Sequence, residues 1–192
     1  MTGHPLNRHL VLIGYRGTGK STVAQSLAAA LARPWVDADH ELTRRAGRSI
    51  SQIFADDGEP TFRRLESETL EELLGREPSV IATGGGVVLS VANRQRLAGA
   101  GTIVWLRATP ESIIDRLQRD ASTAGMRPAL TERGGLEEIV ELLAKRSPLY
   151  AELAAQVIDT DDKTPAAVAA EILAKFGLSA GAGALADTGE SP

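Results

Sequence analysis

The sequence predicts an α/β protein built in three layers, a five-stranded parallel sheet flanked by helices. Short, β-rich apolar runs alternate with longer stretches of helical period, the order that a parallel sheet with crossover helices requires. None of the short runs alternates polar with apolar residues, as expected of strands covered on both faces. At 192 residues the chain has the length of one domain and enough material for a core.

In chain order, strand candidates fall at His9–Ile13, Pro34–Asp37, Val80–Ala82, Thr102–Leu106 and Gln156–Asp159. Trp35 and Trp105 lie within them and are expected in the core. Among the helix candidates, Lys20–Leu31 places Val23, Leu27, Ala28 and Leu31 on one face. Glu59–Leu74 sets Phe62, Leu65, Leu70 and Leu73 near helical spacing, and Glu111–Gln118 carries Ile113, Ile114 and Leu117. Leu136–Leu143 and Ala166–Phe176 complete the set. Asp120–Gly135 is rich in glycine and mixed charge without a period, and reads as a mobile loop of the kind that forms lids. Residues 177–192, with four glycines and little bulk, read as a disordered tail.

Hydrophobic residues make up 43% and charged residues 24%, ordinary values for a soluble globular protein. Aromatics at 4% leave no base-stacking surface or carbohydrate platform. A net charge of -4 argues against nucleic acid or an anionic membrane as partner, because phosphate surfaces need basic proteins. The absence of cysteine removes disulfides, thiolate metal sites and cysteine nucleophiles, and fits a reducing compartment. The apolar run Leu10–Gly14 is far shorter than the roughly 20 residues of a membrane span. No apolar export segment follows the first ten residues, so the expectation is a cytoplasmic protein. His4, His9 and His40 have no partner at i, i+4, which leaves a zinc site unsupported.

The strongest motif is Gly14-Tyr15-Arg16-Gly17-Thr18-Gly19-Lys20-Ser21, which fits G-x-x-x-x-G-K-[ST] between a strand and a helix. Glycines let backbone N–H groups wrap a phosphate, and the helix N-terminus adds its positive end. Lys20 would reach the β- and γ-phosphates of a nucleotide, and the Ser21 hydroxyl would hold Mg²⁺. The glycine order excludes a dinucleotide fingerprint. No N-K-x-D segment reads guanine, and Ile103–Leu106 ends in Arg107 rather than an acidic residue. A compact small-molecule kinase is the class that remains.

Several segments bear on the acceptor. Asp37-Ala38-Asp39 ends a strand, where ligands of α/β sheets bind, and both carboxylates can reach one cleft. One would face Mg²⁺ and the other an acceptor hydroxyl that it orients or deprotonates; the alternative is a polar turn with an Asp cap. Arg63 or Arg64 could present a guanidinium fork to a carboxylate, or both could be a surface charge run. Gly84-Gly85-Gly86 beyond a strand end suggests close backbone approach to a ligand, or else a plain turn. Arg127 in the lid stretch could close on the transferring phosphoryl group, or be an ordinary exposed arginine.

Together and in this order, these segments resemble the shikimate kinase family over about His9 to Phe176. The resemblance rests on the phosphate loop, Asp37-Ala38-Asp39, Gly47-Arg48-Ser49-Ile50 through Ile53-Phe54 to Phe62-Arg63, Gly84–Gly86, Arg127-Pro128 and Arg146-Ser147-Pro148-Leu149-Tyr150. It implies a P-loop transferase of the nucleoside monophosphate kinase type that moves the γ-phosphoryl group of ATP to the 3-hydroxyl of shikimate, on the way to aromatic amino acids. Residues 1–176 would form one kinase domain, with a substrate-binding region at about 38–70 and a lid at about 120–135. ATP would be held by Gly17, Thr18, Gly19, Lys20, Ser21 and Thr22, with Arg116 along the adenine and Arg127 closing from the lid. Mg²⁺ would sit on Ser21, supported by Asp37. Asp39, Gly85 and Gly86 would bind shikimate hydroxyls, Asp39 being the candidate base, while Arg63 and Arg146 pair with its carboxylate. Lys20, Asp39 and Arg127 would be the catalytic set. A monomer with ATP and shikimate as its partners is expected.

Two departures stand out. The lid stretch between Arg119 and Arg127 is a few residues longer than the compact family form. Near Thr160-Asp161-Asp162 two aspartates stand where basic character is common, so no nucleotide contact is assigned there. The rival readings are a gluconate-type sugar-acid kinase, a nucleoside monophosphate kinase and a non-catalytic nucleotide-binding regulator.

Overall fold

A computed structural model describes residues 8–119 and 135–178. Its centre is a five-stranded, wholly parallel sheet: β1 (His9–Ile13), β2 (Trp35–Asp37), β3 (Val80–Ala82), β4 (Gly101–Arg107) and β5 (Gln156–Asp159), in the order β2-β3-β1-β4-β5. The helices are α1 (Lys20–Leu31), α2 (Ala38–Ala46), α3 (Ile50–Leu74), α4 (Val91–Ala100), α5 (Pro110–Arg119), α6 (Gly135–Leu153) and α7 (Pro165–Lys175), with a 3₁₀ turn at Val87–Leu89. Among the described residues no helix is long and apolar enough to cross a membrane.

β1 shows why the strands read as unbroken apolar runs. Successive side chains of a strand face opposite sides. Leu10 and Leu12 enter a core that includes Val23 and Leu27 of α1 and Ile172 of α7, while Val11 and Ile13 enter a second core with Leu70 of α3 and Leu97 of α4. The edge strands are a correction: Trp35 on β2 is 38% exposed rather than buried, and β5 shows only Ile158 fully inside. Each has one strand neighbour, so cover on both faces is incomplete. Trp105, in β4, is buried as expected.

Two helices, α2 and α4, escape the periodicity reading, and α3 and α6 run longer than it marks. α2 buries only Glu41 and Leu42, too little apolar stripe to announce itself. α3 begins well before Glu59: Ser49 and Gln52 form a capping box, and the helix bends at Gly58, where φ is 77°. Pro60 then falls in the first turn of the second segment, where its missing N–H costs nothing. Leu42, Ile50, Ile53 and Phe62 seal α2 against α3.

Register brings the chemistry-bearing ends together. Leu12 of β1 pairs with Ala82 of β3, and Ala82 in turn with Asp37 of β2. Gly14, Asp37 and the Thr83–Gly86 turn therefore leave the sheet at one level. The stretch 120–134, including Arg127, and the tail beyond Leu178 lie outside the described residues.

Candidate active site

The phosphate loop leaves β1 at Gly14, whose φ of 140° and closeness to β4 exclude a side chain: a Cβ would lie 2.3 Å from the Leu106 carbonyl oxygen. Gly17 and Gly19 take the left-handed region, with φ of 78° and 83°. Thr18 closes the turn by donating its hydroxyl to the Tyr15 carbonyl at 2.8 Å. Lys20 opens α1, is buried, and donates Nζ to the carbonyls of Gly14 (2.9 Å) and Tyr15 (2.8 Å). Its ammonium thus rests on the loop's own backbone. Ser21 and Thr22 follow on the exposed first turn of the helix.

Asp37 joins this loop to α2. One carboxylate oxygen accepts the Ser21 hydroxyl, and the other caps α2 by accepting the N–H groups of Asp39 (2.9 Å) and His40 (3.1 Å). The metal-side and capping readings of this aspartate are compatible, one oxygen serving each. Asp39 stands in the first turn of α2, half-buried.

The acceptor side is organised by the glycine turn after β3. A Cβ on Gly85 would come 3.1 Å from the Arg16 nitrogen and 3.3 Å from the Gly14 oxygen, so the turn lies directly on the phosphate loop. The Gly85 carbonyl accepts Nη1 of Arg146 (3.2 Å) and the Tyr150 hydroxyl (2.5 Å), both buried on α6. Gly86 lies under Arg63: a Cβ there would be 2.2 Å from Nη1. Gly85, Gly86, Arg63 and Arg146 are thus gathered in one place.

Arg63 and Arg64, alike in sequence, separate here. Arg63 donates Nε and Nη2 to Glu59 (3.0 and 2.9 Å) and Nη1 to Glu66 (2.8 Å), whereas Arg64 pairs with Glu68 on the exposed face. Burial works against the Arg63 charge, but Glu66 and Glu59 outweigh it and hold its pKa above the ordinary value. The two carboxylates were not anticipated, although i, i+3 and i, i+4 spacing from Arg63 would have found them.

Burial pushes the Tyr15 and Tyr150 hydroxyls up from their ordinary pKa, so both remain neutral, and that of Tyr150 donates to Gly85. At the far end of the loop, Arg116 donates to Gly17 O (3.4 Å), Thr160 Oγ1 (2.9 Å) and Thr160 O (2.6 Å), tying the loop to the β5–α7 turn. Asp161 in that turn accepts from the N–H and hydroxyl of Thr109, which anchor it to the start of α5. Burial would raise its pKa, but hydrogen bonds from Ser112 and Thr109 lower it overall.

Residues 16–176 match the family model for shikimate kinase. A shikimate kinase of Rhodopirellula baltica is 43% identical over 166 residues, 86% of this chain and 89% of its own length. Among solved structures, shikimate kinase from Acinetobacter baumannii in complex with shikimate is similar at a TM-score of 0.83 and 36% identity, covering 88% of this chain and 92% of that one. A gluconokinase from Sinorhizobium meliloti shares the fold, at a TM-score of 0.57 and 19% identity, over 90% of this chain and 93% of its own. A likeness that low is one of architecture, whereas the family match runs from the phosphate loop to the last helix: this chain is a kinase and belongs to the shikimate kinase family.

Proposed function

We propose that the chain transfers the γ-phosphoryl group of ATP to the 3-hydroxyl of shikimate, giving shikimate 3-phosphate and ADP on the way to chorismate and the aromatic amino acids. The observation that carries this reading is the wall shared by two sites. Gly85 packs on the phosphate loop, and its carbonyl holds Arg146, so an anion bound at Arg146 lies beside a phosphate bound in the loop.

In this reading Lys20 leaves its loop carbonyls for the β- and γ-phosphates, and the N–H groups of Gly17 to Thr22 hold the remaining oxygens. Ser21 and Asp37 set a hydroxyl beside a carboxylate, hard oxygen donors that fit Mg²⁺, which is bound by one or two such groups plus phosphate and water. When bound, that ion neutralises charge on the phosphates. Arg63 and Arg146 present guanidinium forks to the shikimate carboxylate, and Gly85 and Gly86 offer backbone to a hydroxyl. Asp39 orients the 3-hydroxyl or takes its proton as the new O–P bond forms and the bond to the ADP oxygen breaks. Arg127 closes from the lid, and Arg116 holds the loop end near the adenine. The chain works as a cytoplasmic monomer on these two small molecules.

Locating the phosphate by phosphorus–proton correlation NMR after incubation with Mg·ATP and shikimate tests this. Coupling to the proton on C3 is expected. Coupling to another ring proton, or no phosphorylated product, contradicts it.

A further inference from the structure

Phosphoryl transfer leaves the Tyr15 side chain of the phosphate loop without a task. The turn itself needs only the backbone at position 15, whose carbonyl takes Lys20 and Thr18. Yet Tyr15 is 1% exposed and among the largest side chains sealed in the protein. Its ring lies outside the two main cores, against Ala108, Ile113 and Ile139. The Arg146 guanidinium stands over that ring, 5.5 Å from its centroid, within the range of a cation–π contact. Arg16, the next residue, also stands near the ring, 5.9 Å from its centroid, and its charge acts on the buried hydroxyl, which makes no hydrogen bond of ordinary geometry among the described residues; the ring face is what Tyr15 offers Arg146.

Arg146 needs such a support. It is 5% exposed, its Nη1 rests on the Gly85 carbonyl beside the neutral Tyr150 hydroxyl, and its Nε has no partner among the described residues. A guanidinium so loosely bonded keeps its fork aimed only if something fixes its plane, and an aromatic face does this without occupying a donor.

We infer that Tyr15 is a positioning residue for the acceptor's carboxylate: its ring fixes the Arg146 guanidinium, so a phosphate-loop side chain sets affinity for the acceptor rather than for ATP. The inference rests on the proposed function, in which Arg146 takes that carboxylate.

Steady-state kinetics of wild type, Tyr15→Phe, Tyr15→Met and Tyr15→Leu test it, with shikimate as acceptor and shikimate carboxamide as alternative substrate or competitive inhibitor. Tyr15→Phe keeps the ring and should hold the shikimate KM within about twofold. Tyr15→Met and Tyr15→Leu should raise it about five- to thirtyfold, the range of a desolvated cation–π contact, with kcat and the ATP KM within about twofold. Met fills the volume, so the outcome does not depend on how Leu folds. Carboxamide binding should be nearly insensitive to these changes, because it offers no carboxylate. An unchanged shikimate KM in the Met variant, or an ATP KM or carboxamide constant that rises in parallel, would overturn the inference. Failure of the wild type to phosphorylate shikimate sinks the functional reading itself, and is distinguished by being read before any variant.

Discussion

Ser21 and Asp37 are joined by a hydrogen bond across the mouth of the phosphate loop, and the same carboxylate caps α2 through the N–H groups of Asp39 and His40. One side chain thus fixes the spacing between the start of α1 and the start of the helix that carries Asp39. Two substitutions separate its roles. Asp37→Asn keeps an acceptor for the cap but loses the charge, so the Mg²⁺ concentration for half-maximal rate should rise about tenfold with little change in stability. Asp37→Ala should in addition lower stability by about 1 kcal/mol in urea unfolding, the usual cost of a lost cap.

Gly86 has ordinary backbone angles (φ -100°, ψ -3°), so Gly86→Ala introduces no backbone strain. Its methyl would instead strike the Arg63 guanidinium at 2.2 Å, the far end of a flexible side chain. The shikimate KM should therefore rise about tenfold, near the cost of one charge-assisted hydrogen bond, while the ATP KM and melting temperature stay near wild type. Gly14→Ala should behave oppositely. There the methyl meets backbone and φ is 140°, so about 2 kcal/mol or more of stability should be lost.

Asp39→Asn keeps shape and removes charge. If the carboxylate takes the proton from the acceptor hydroxyl, kcat should fall by about 10²–10⁴ with the shikimate KM little changed. Turnover close to wild type would leave Asp39 an orienting group only.

Glu41 predicts a pH dependence of stability. Its buried carboxylate accepts two hydrogen bonds from Arg44 (2.8 and 3.0 Å) and one from Arg76 (2.6 Å), anchoring α2 to the segment after α3. The hydrogen bonds from Arg44 and Arg76 lower its pKa from 4.5 to about 2. A lowered folded pKa means stability present above pH 4.5 and lost as the pH falls toward about 2. Glu41→Gln should cost about 1–2 kcal/mol at pH 7 in urea unfolding, and the gap should shrink steadily below pH 4.5.

The sheet was legible because its central strands are buried on both faces, and β1, β3 and β4 spell that out as apolar runs. Edge position is not written in such runs, which is why Trp35 was expected inside. α2 and α4 were missed because each buries one large apolar side chain, Leu42 or Leu97, beside one polar side chain, Glu41 or Asn93, a pattern that hydrophobic period does not register. The start of α3 was legible in principle from Ser49 and Gln52, but Gly58 and Pro60 mask the continuation. At the site, the phosphate loop declared itself through its glycines. Arg63 and Arg64 could be told apart only by the family resemblance; the helix turns Arg63 toward Gly86 and Arg64 toward solvent. The Tyr15–Arg146 contact joins residues 131 positions apart, and nothing local announces it.

The most direct test of the central claim is ADP release from Mg·ATP with shikimate, gluconate, quinate and AMP offered separately as acceptors. Fast release with shikimate alone is the predicted result. Release with gluconate or AMP in its place would leave the phosphate loop standing and contradict the acceptor site built from Asp39, Arg63, Gly86 and Arg146.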